Sequence, residues 1–298
     1  MGSVCLNFHR LHVFYTVARQ LSFSRAAEEL YTSQPNVSNH VARLEAELGV
    51  QLFHRRGTRV ALTDAGRIVY GYAQRLFELI DGMQRALDEL KGLERGNLRL
   101  AAGSTAGLFL LPPVMAGFQK AHPGLEISLH LANTRGAVEQ VLSNQADLGF
   151  IEAAVTAPGL LIQPYLSDEM VLIAAPGHSL SAVPAVTPQD LARETLVLRE
   201  EGSGTRQITE EALVRWGVQP RQTLVINGCE GVKQVVAAGL GVSFVSRRAL
   251  ALELAQGILR VLTGEGLALP RPIAVVAHKD LRPSAAALAF LAHLRKRA

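Results

Sequence analysis

Gln34, Pro35, Asn36, Ser38, Asn39 and Arg43 fall on one side of a helical repeat whose other side carries Val37, Val41, Leu44 and Leu48. An amide can bond adenine in bidentate fashion, and an arginine can reach guanine or a phosphate. A short polar face, almost uncharged and close to a helix N-terminus, is suited to reading base edges. Ser33 is placed to cap this helix, Pro35 suits its first turn, and Gly49 ends it. Two further clusters lie beyond residue 100. Gly103-Ser104-Thr105 and Gly202-Ser203-Gly204-Thr205-Arg206 each stand between a strand pattern and a helix pattern. Small residues let backbone N–H groups approach a ligand, hydroxyls add donors, and a helix N-terminus favours an anion. Asn133-Thr134 ends another strand pattern and offers a third polar loop. These loops predict a small anionic effector, with Arg206 adding charge. Neither glycine loop is a P-loop, because no Gly-Lys-Ser/Thr follows.

The elements that position these groups can be read from periodicity. Leu11, Phe14, Tyr15 and Ala18 recur at helical spacing, and Ser22-Phe23-Ser24 starts a short second helix over 25–30. Tyr31-Thr32-Ser33 is a three-residue turn into the polar-faced helix, which makes a helix-turn-helix. Residues 51–62 read as strand, basic tight turn and strand: a wing that would lay Arg55, Arg56 and Arg59 along a phosphate backbone. Thr63 then caps a helix that can run to Lys91. Val69, Leu76, Met83 and Leu90 recur in it every seven residues, with Tyr72, Leu79 and Ala86 between them. Such a helix would span about 42 Å at about 1.5 Å per residue, and pairing with a second copy accounts for both its length and its stripe.

From residue 98 the pattern alternates strand and helix: strands over 98–102, 125–131 and 147–152, then over 195–199, 223–226, 242–246 and 273–277, with helices between and a last helix over 284–295. That alternation predicts two α/β lobes with a cleft between them. The expected organisation is a winged helix-turn-helix DNA-binding domain over 1–62, a linker and dimerisation helix over 63–92, a hinge over 93–97, and an effector-binding domain over 98–298. Lobe I takes about 98–166 and 270–298, and lobe II about 167–269.

The chain has 298 residues and a net charge of +4, too little for binding nucleic acid by bulk charge. The first 60 residues hold seven cations against four acids, so most of the excess sits on the head. Two cysteines, Cys5 and Cys229, suit a reducing cytosol, and no secretory pattern or membrane span is read, so a cytoplasmic protein is expected. No nucleophile–base pair, metal-ligand spacing or dinucleotide fingerprint is present, which argues against an enzyme and against a metal or cofactor.

The residues Phe23-Ser24-Arg25-Ala26-Ala27-Glu28-Glu29-Leu30, Ser33-Gln34-Pro35-Asn36-Val37-Ser38, Leu44 to Phe53 and Leu62-Thr63-Asp64-Ala65-Gly66 occur in order and at the spacing of one family. In them the chain resembles the LysR-type transcriptional regulators, and the resemblance covers essentially the whole length. Tyr31 stands where many helix-turn-helix turns have glycine. The resemblance implies an all-α winged helix-turn-helix plus long linker helix, followed by a two-lobed α/β domain similar to periplasmic solute-binding proteins. It further implies double-stranded DNA as a partner, a homodimer through the linker helix, a homotetramer, and an effector in the cleft. Residues 199–206 and 232–242 look most like the regulators of carbon fixation and sulfur assimilation, although Asn227-Gly228-Cys229-Glu230 departs from the carbon-fixation pattern. The alternative reading is a solute-binding protein with an N-terminal helical appendage.

Overall fold

The computed structural model describes residues 6–56, 59–90 and 96–296. It divides into two compact units, Met1–Gln84 and Arg85–Ala298. The first unit contains α1 (Phe8–Gln20), α2 (Phe23–Glu29), α3 (Gln34–Leu48), β1 (Phe53–Arg56), β2 (Arg59–Leu62) and most of α4 (Asp64–Leu90). Asn7 and Ser22 cap the first two helices through their side chains. Val37, Val41 and Leu44 bury one face of α3 against Phe14, Val17 and Ala26. Gly49 closes α3 in the left-handed conformation (φ +68°). Tyr31 also adopts that conformation (φ +50°) with its side chain 97% exposed, so the turn keeps its shape without glycine.

Two polar residues fasten the wing to this core. Glu45 is buried, and its carboxylate accepts the N–H groups of Leu52 (2.7 Å) and Phe53 (3.3 Å). Thr63 donates its hydroxyl to the Gln51 carbonyl (2.7 Å) and accepts the Gly66 N–H (2.9 Å), so it caps α4 and ties it to the wing. The heptad stripe of α4 divides. Val69 and Ala73 pack into their own head beside Tyr70 and Phe77, whereas Tyr72, Leu79 and Met83 are exposed. The side chains of 84–90, including Ala86 and Leu90, lie outside the described residues.

The second unit runs β3 (Gly96–Ala102), a wide turn over Ala106–Leu110, α5 (Leu111–Ala121), β4 (Leu125–Leu131), α6 (Thr134–Leu142), β5 (Leu148–Ile151) and β6 (Leu160–Ala174). It continues through β7 (Thr195–Arg199), α7 (Gly204–Trp216), β8 (Gln222–Ile226), α8 (Cys229–Ala237), β9 (Ser243–Ser246), α9 (Ala251–Ala255), β10 (Arg260–Val261), β11 (Leu269–His278) and α10 (Ala285–Arg295). Lobe I is a sheet in the order β6-β11-β5-β3-β4, with β3 parallel to both β4 and β5. Phe118 of α5 meets Phe290 of α10 edge-on over one face of it, and Ala137 and Val141 of α6 cover the other. In lobe II, β7 pairs β8 in parallel and reaches β9 through a Leu196–Val242 bridge. There α7 covers one face with Ala212 and Leu213, and α8 covers the other with Val232 and Val236.

Three expectations differ from this arrangement. The 15-residue β6 is not among the strands read from the sequence, and it is long enough to run through both lobes beside β11. α7 begins at Gly204 rather than at Gln207, so the glycine loop already forms its first turn. β3 begins at Gly96, inside the segment read as hinge, while 91–95 lie outside the described residues.

Candidate functional site

On the head, Ser33, Gln34, Pro35, Asn36 and Asn39 are exposed, Ser38 is half-buried and Arg43 is exposed. These residues form one continuous polar face, as the spacing predicts. Ser33 holds the N-cap position without a side-chain capping bond, and Asn36 donates its amide to the Thr32 hydroxyl (2.9 Å). The wing hairpin pairs Arg55 with Val60 and Arg56 with Arg59, while the side chains of Arg55, Arg56 and Arg59 lie outside what is described. Behind the face, the ring of His40 meets that of His9 edge-on at 4.8 Å. Burial, then the neighbouring His9 and the nearby arginines, lower the His40 pKa, so this imidazole is neutral at pH 7.

In the second unit, the loops singled out from the sequence converge from both lobes. Asn133 caps α6 by accepting the Gly136 N–H (2.9 Å) and donates its amide across the cleft to the Glu201 carbonyl (3.1 Å). The Arg135 N–H donates to the Gly202 carbonyl (3.1 Å). Gly202 has φ +85°, and a side chain on it would press on Arg135. Gly204 lies so close to lobe I that a Cβ there would stand 2.8 Å from the Glu152 carbonyl oxygen and 2.9 Å from Thr134 Oγ1. Ser203, Thr105, Thr134 and Thr205 are buried. A groove of about 700 Å³, lined by Thr134, Val138, Gly202, Ser203, Arg206 and Val214, opens between α6 and α7.

The group that unites the two glycine loops is not one of those read as site residues. Arg271 of β11 is fully buried and donates to Thr205 Oγ1 of lobe II and Thr105 Oγ1 of lobe I, each at 2.9 Å. Its charge is matched by Asp168 of β6 at 2.7 Å, and Asp168 also accepts the Ser246 hydroxyl (2.9 Å). Arg199 forms a second cross-lobe contact. It grips Glu200 with two bonds (2.8 and 2.7 Å) and reaches Ser104 Oγ (3.2 Å). Burial opposes ionisation of Glu200, but the Arg199 fork and the Gly228 N–H outweigh it and hold that carboxyl at about 2. A third contact joins Lys233 of α8, bonded to Glu253 (2.6 Å), to the ring of Phe109 in lobe I, 5.2 Å away.

Two expectations about charge change in detail. Arg206 lines the groove but pairs along its own helix with Glu210 (2.7 Å), so the charge it brings there is already shared with a carboxylate. The turn after Gly103 already holds a carboxylate from this chain, because Glu152 accepts the Ala106 N–H (2.8 Å). Cys229 is buried, and burial pushes its thiol up to about 11 against the pull of Arg199 and Lys233. Thiolate at pH 7 is then about one part in ten thousand. We expect Cys229 in the native protein to resist maleimide for hours and to label at once in denaturant, as read by peptide mass spectrometry. Rapid native labelling would contradict this environment.

A family model described as bacterial regulatory helix-turn-helix protein, lysR family, matches residues 8–67, and the LysR substrate binding domain matches residues 91–298. The RuBisCO operon transcriptional regulator of Allochromatium vinosum is 39% identical over 285 residues, which is 96% of this chain and 94% of that protein. The regulatory domain of Synechocystis PCC6803 CcmR, solved in complex with 2-PG, is 29% identical and covers 68% of this chain and 97% of its own, with a TM-score of 0.63. Full-length CbnR complexed with target DNA superposes with a TM-score of 0.68 at 24% identity, covering 98% of this chain and 100% of that one, a likeness of fold. A head whose α3 presents an exposed polar face, a two-lobed domain whose loops share a buried arginine, and family matches to both place the chain in the LysR family of transcriptional regulators.

Proposed function

We propose that this regulator reads promoter DNA with Ser33, Gln34, Pro35, Asn36, Ser38, Asn39 and Arg43, while Arg55, Arg56 and Arg59 of the wing hold the phosphate backbone. The observation that carries the reading is the exposed, continuous amide-rich face of α3 opposite the face that buries Val37, Val41 and Leu44. Two heads are needed for a two-fold pair of half-sites. The exposed Tyr72, Leu79 and Met83 of α4 supply a surface for a homodimer, on which a dimer of dimers can be built. The effector is a small anionic metabolite held between Gly103-Ser104-Thr105, Asn133-Thr134 and Gly202-Ser203-Gly204-Thr205-Arg206. Supporting this are the closely approached glycines and the hydroxyls of both lobes that meet on Arg271. The relatives, a RuBisCO operon regulator and a regulatory domain solved with 2-PG, favour control of carbon-fixation genes by a phosphorylated or carboxylated metabolite. No described helix is long and apolar enough to cross a membrane, and we assign the protein to the cytoplasm. A solute-binding protein with a helical appendage is not favoured, because the head has its own core and reading face.

The reading face is tested with Arg43→Ala. Loss of one base or phosphate contact should weaken binding to the target promoter about tenfold or more, with fold and oligomeric state unchanged. Equal affinity of wild type and variant in a salt-controlled retardation or anisotropy titration would refute the assignment.

A further inference from the structure

The inference rests on the effector cleft just proposed and concerns a residue that stands outside its loops. Three buried cations, Arg199 of β7, Arg271 of β11 and Lys233 of α8, reach one stretch of lobe I. Arg199 bonds Ser104 Oγ (3.2 Å), and Arg271 bonds Thr105 Oγ1 (2.9 Å). Lys233 lies over the ring of the half-buried Phe109, 5.2 Å from its centre and further along the same turn.

The bonding of that turn makes it depend on such outside holds. Over Ala106–Leu110 it is wider than an α-helix, and the Leu111 N–H returns to the Ala106 carbonyl, five residues back. Pro112 and Pro113 open α5 without N–H groups, so the Leu108 and Phe109 carbonyls have no α-helical donor four residues on. Gly107 lets the turn lie on β4, because a Cβ there would overlap Leu131 Cδ2. Glu152 holds the start of the turn by accepting the Ala106 N–H (2.8 Å). Single wide turns of this kind are uncommon and concentrate at functional sites.

Lys233, in contrast, is fixed. Its ammonium bonds the Ala249 carbonyl (2.8 Å), Glu253 (2.6 Å) and Glu230 (2.8 Å), all in lobe II. These partners take its three N–H groups, so what it presents to lobe I is a localised charge. A desolvated cation over an aromatic face attracts it more strongly than an exposed one does.

We propose that Lys233 is a positioning residue for the effector cleft: anchored in lobe II, it holds the Phe109 ring, and the ring holds the 106–110 turn so that Ser104 and Thr105 stay at Arg199 and Arg271. Lys233 itself touches no effector. A change at Phe109 is then felt at Ser104 and Thr105, although neither residue is altered.

The test is amide hydrogen exchange on the full chain, read by peptide mass spectrometry without ligand. Phe109→Leu, which keeps an apolar side chain but removes the ring, should speed exchange over 104–111 about tenfold or more and leave β3 and β5 as in wild type. Phe109→Tyr keeps the ring and should restore wild-type exchange. Lys233→Arg should match wild type, and Lys233→Met should match Phe109→Leu; if Lys233→Met fails to fold, the ring variants decide. Wild-type exchange in Phe109→Leu, equal exchange in Phe109→Leu and Phe109→Tyr, or acceleration spread over all of lobe I each overturns the positioning role and leaves the cleft standing. The cleft is judged separately, by calorimetric titration of wild type with inorganic phosphate and 2-phosphoglycolate. Binding of neither overturns the cleft, and with it the purpose assigned to Lys233.

Discussion

Arg271→Ala is expected to destabilise the effector domain by about 3–5 kcal/mol, the usual cost of removing one partner from a buried ion pair. Arg271 is fully buried, and its loss leaves the Asp168 carboxylate, 1% exposed at its side chain, without its principal countercharge. Thr105 and Thr205 lose their common donor in the same step. Arg248, 3.5 Å from Asp168 and partly exposed, recovers a fraction of the lost pairing and keeps the cost inside that range. The double variant Asp168→Asn/Arg271→Met should be less damaged than Arg271→Ala, because no unmatched charge remains. Urea unfolding followed by fluorescence of Trp216, packed in lobe II, provides the measurement. A loss below about 1 kcal/mol for the single variant would show that the pair contributes little.

Gly66→Ala should cost at or above the upper end of about 1–3 kcal/mol, and the injury falls on the head. A Cβ at Gly66 would overlap the Leu52 carbonyl and press on Leu62 Cδ2 at 3.0 Å. Neither neighbour can yield cheaply. The Leu52 carbonyl accepts the Thr63 N–H (3.0 Å), and the Leu52 N–H is held by Glu45 (2.7 Å). Relief therefore means moving the wing off the helix cap, and DNA affinity should fall together with stability. Gly71→Ala in the same helix is the control: nothing lies within 4 Å of an added Cβ there, so alanine should be neutral or stabilise by up to about 1 kcal/mol. Equal behaviour of the two variants in thermal unfolding would remove the steric explanation.

These two residues illustrate what the chain discloses before folding and what it withholds. Gly66 belongs to Leu62-Thr63-Asp64-Ala65-Gly66, a local motif whose recurrence can be noticed although its reason, contact with a carbonyl 14 positions away, is invisible in the string. The α3 face is fully legible because a helix of period 3.6 sorts its polar and apolar residues locally. Strand β6 is not, because Gln163-Pro164 and Ser167-Asp168-Glu169 interrupt any regular alternation where it passes from one core to the other. Arg271 sits between two prolines in an otherwise apolar strand, and its partner Asp168 is 103 residues earlier. Glu152 ends the apolar run Leu148–Ile151 and reads as the surface end of a strand until Ala106 is folded against it. Local periodicity thus located the loops, and long-range pairing decided which charges they share.

Ser167 of β6 and Pro272 of β11 are partners in the antiparallel register, and everything between them in sequence is lobe II. Lobe II is thus a cassette whose two ends leave lobe I side by side, the arrangement in which nature and engineers most readily exchange one module for another. The cassette carries Asp168, Ser246 and Arg271 with it and meets the loops of its host through a small set of hydrogen bonds, from Arg271 to Thr105, from Arg199 to Ser104, and from Asn133 and Arg135 to Glu201 and Gly202. Lobe II's share of the proposed effector cleft can therefore travel between relatives as a unit, while the 103–105 and 133–134 loops stay with lobe I.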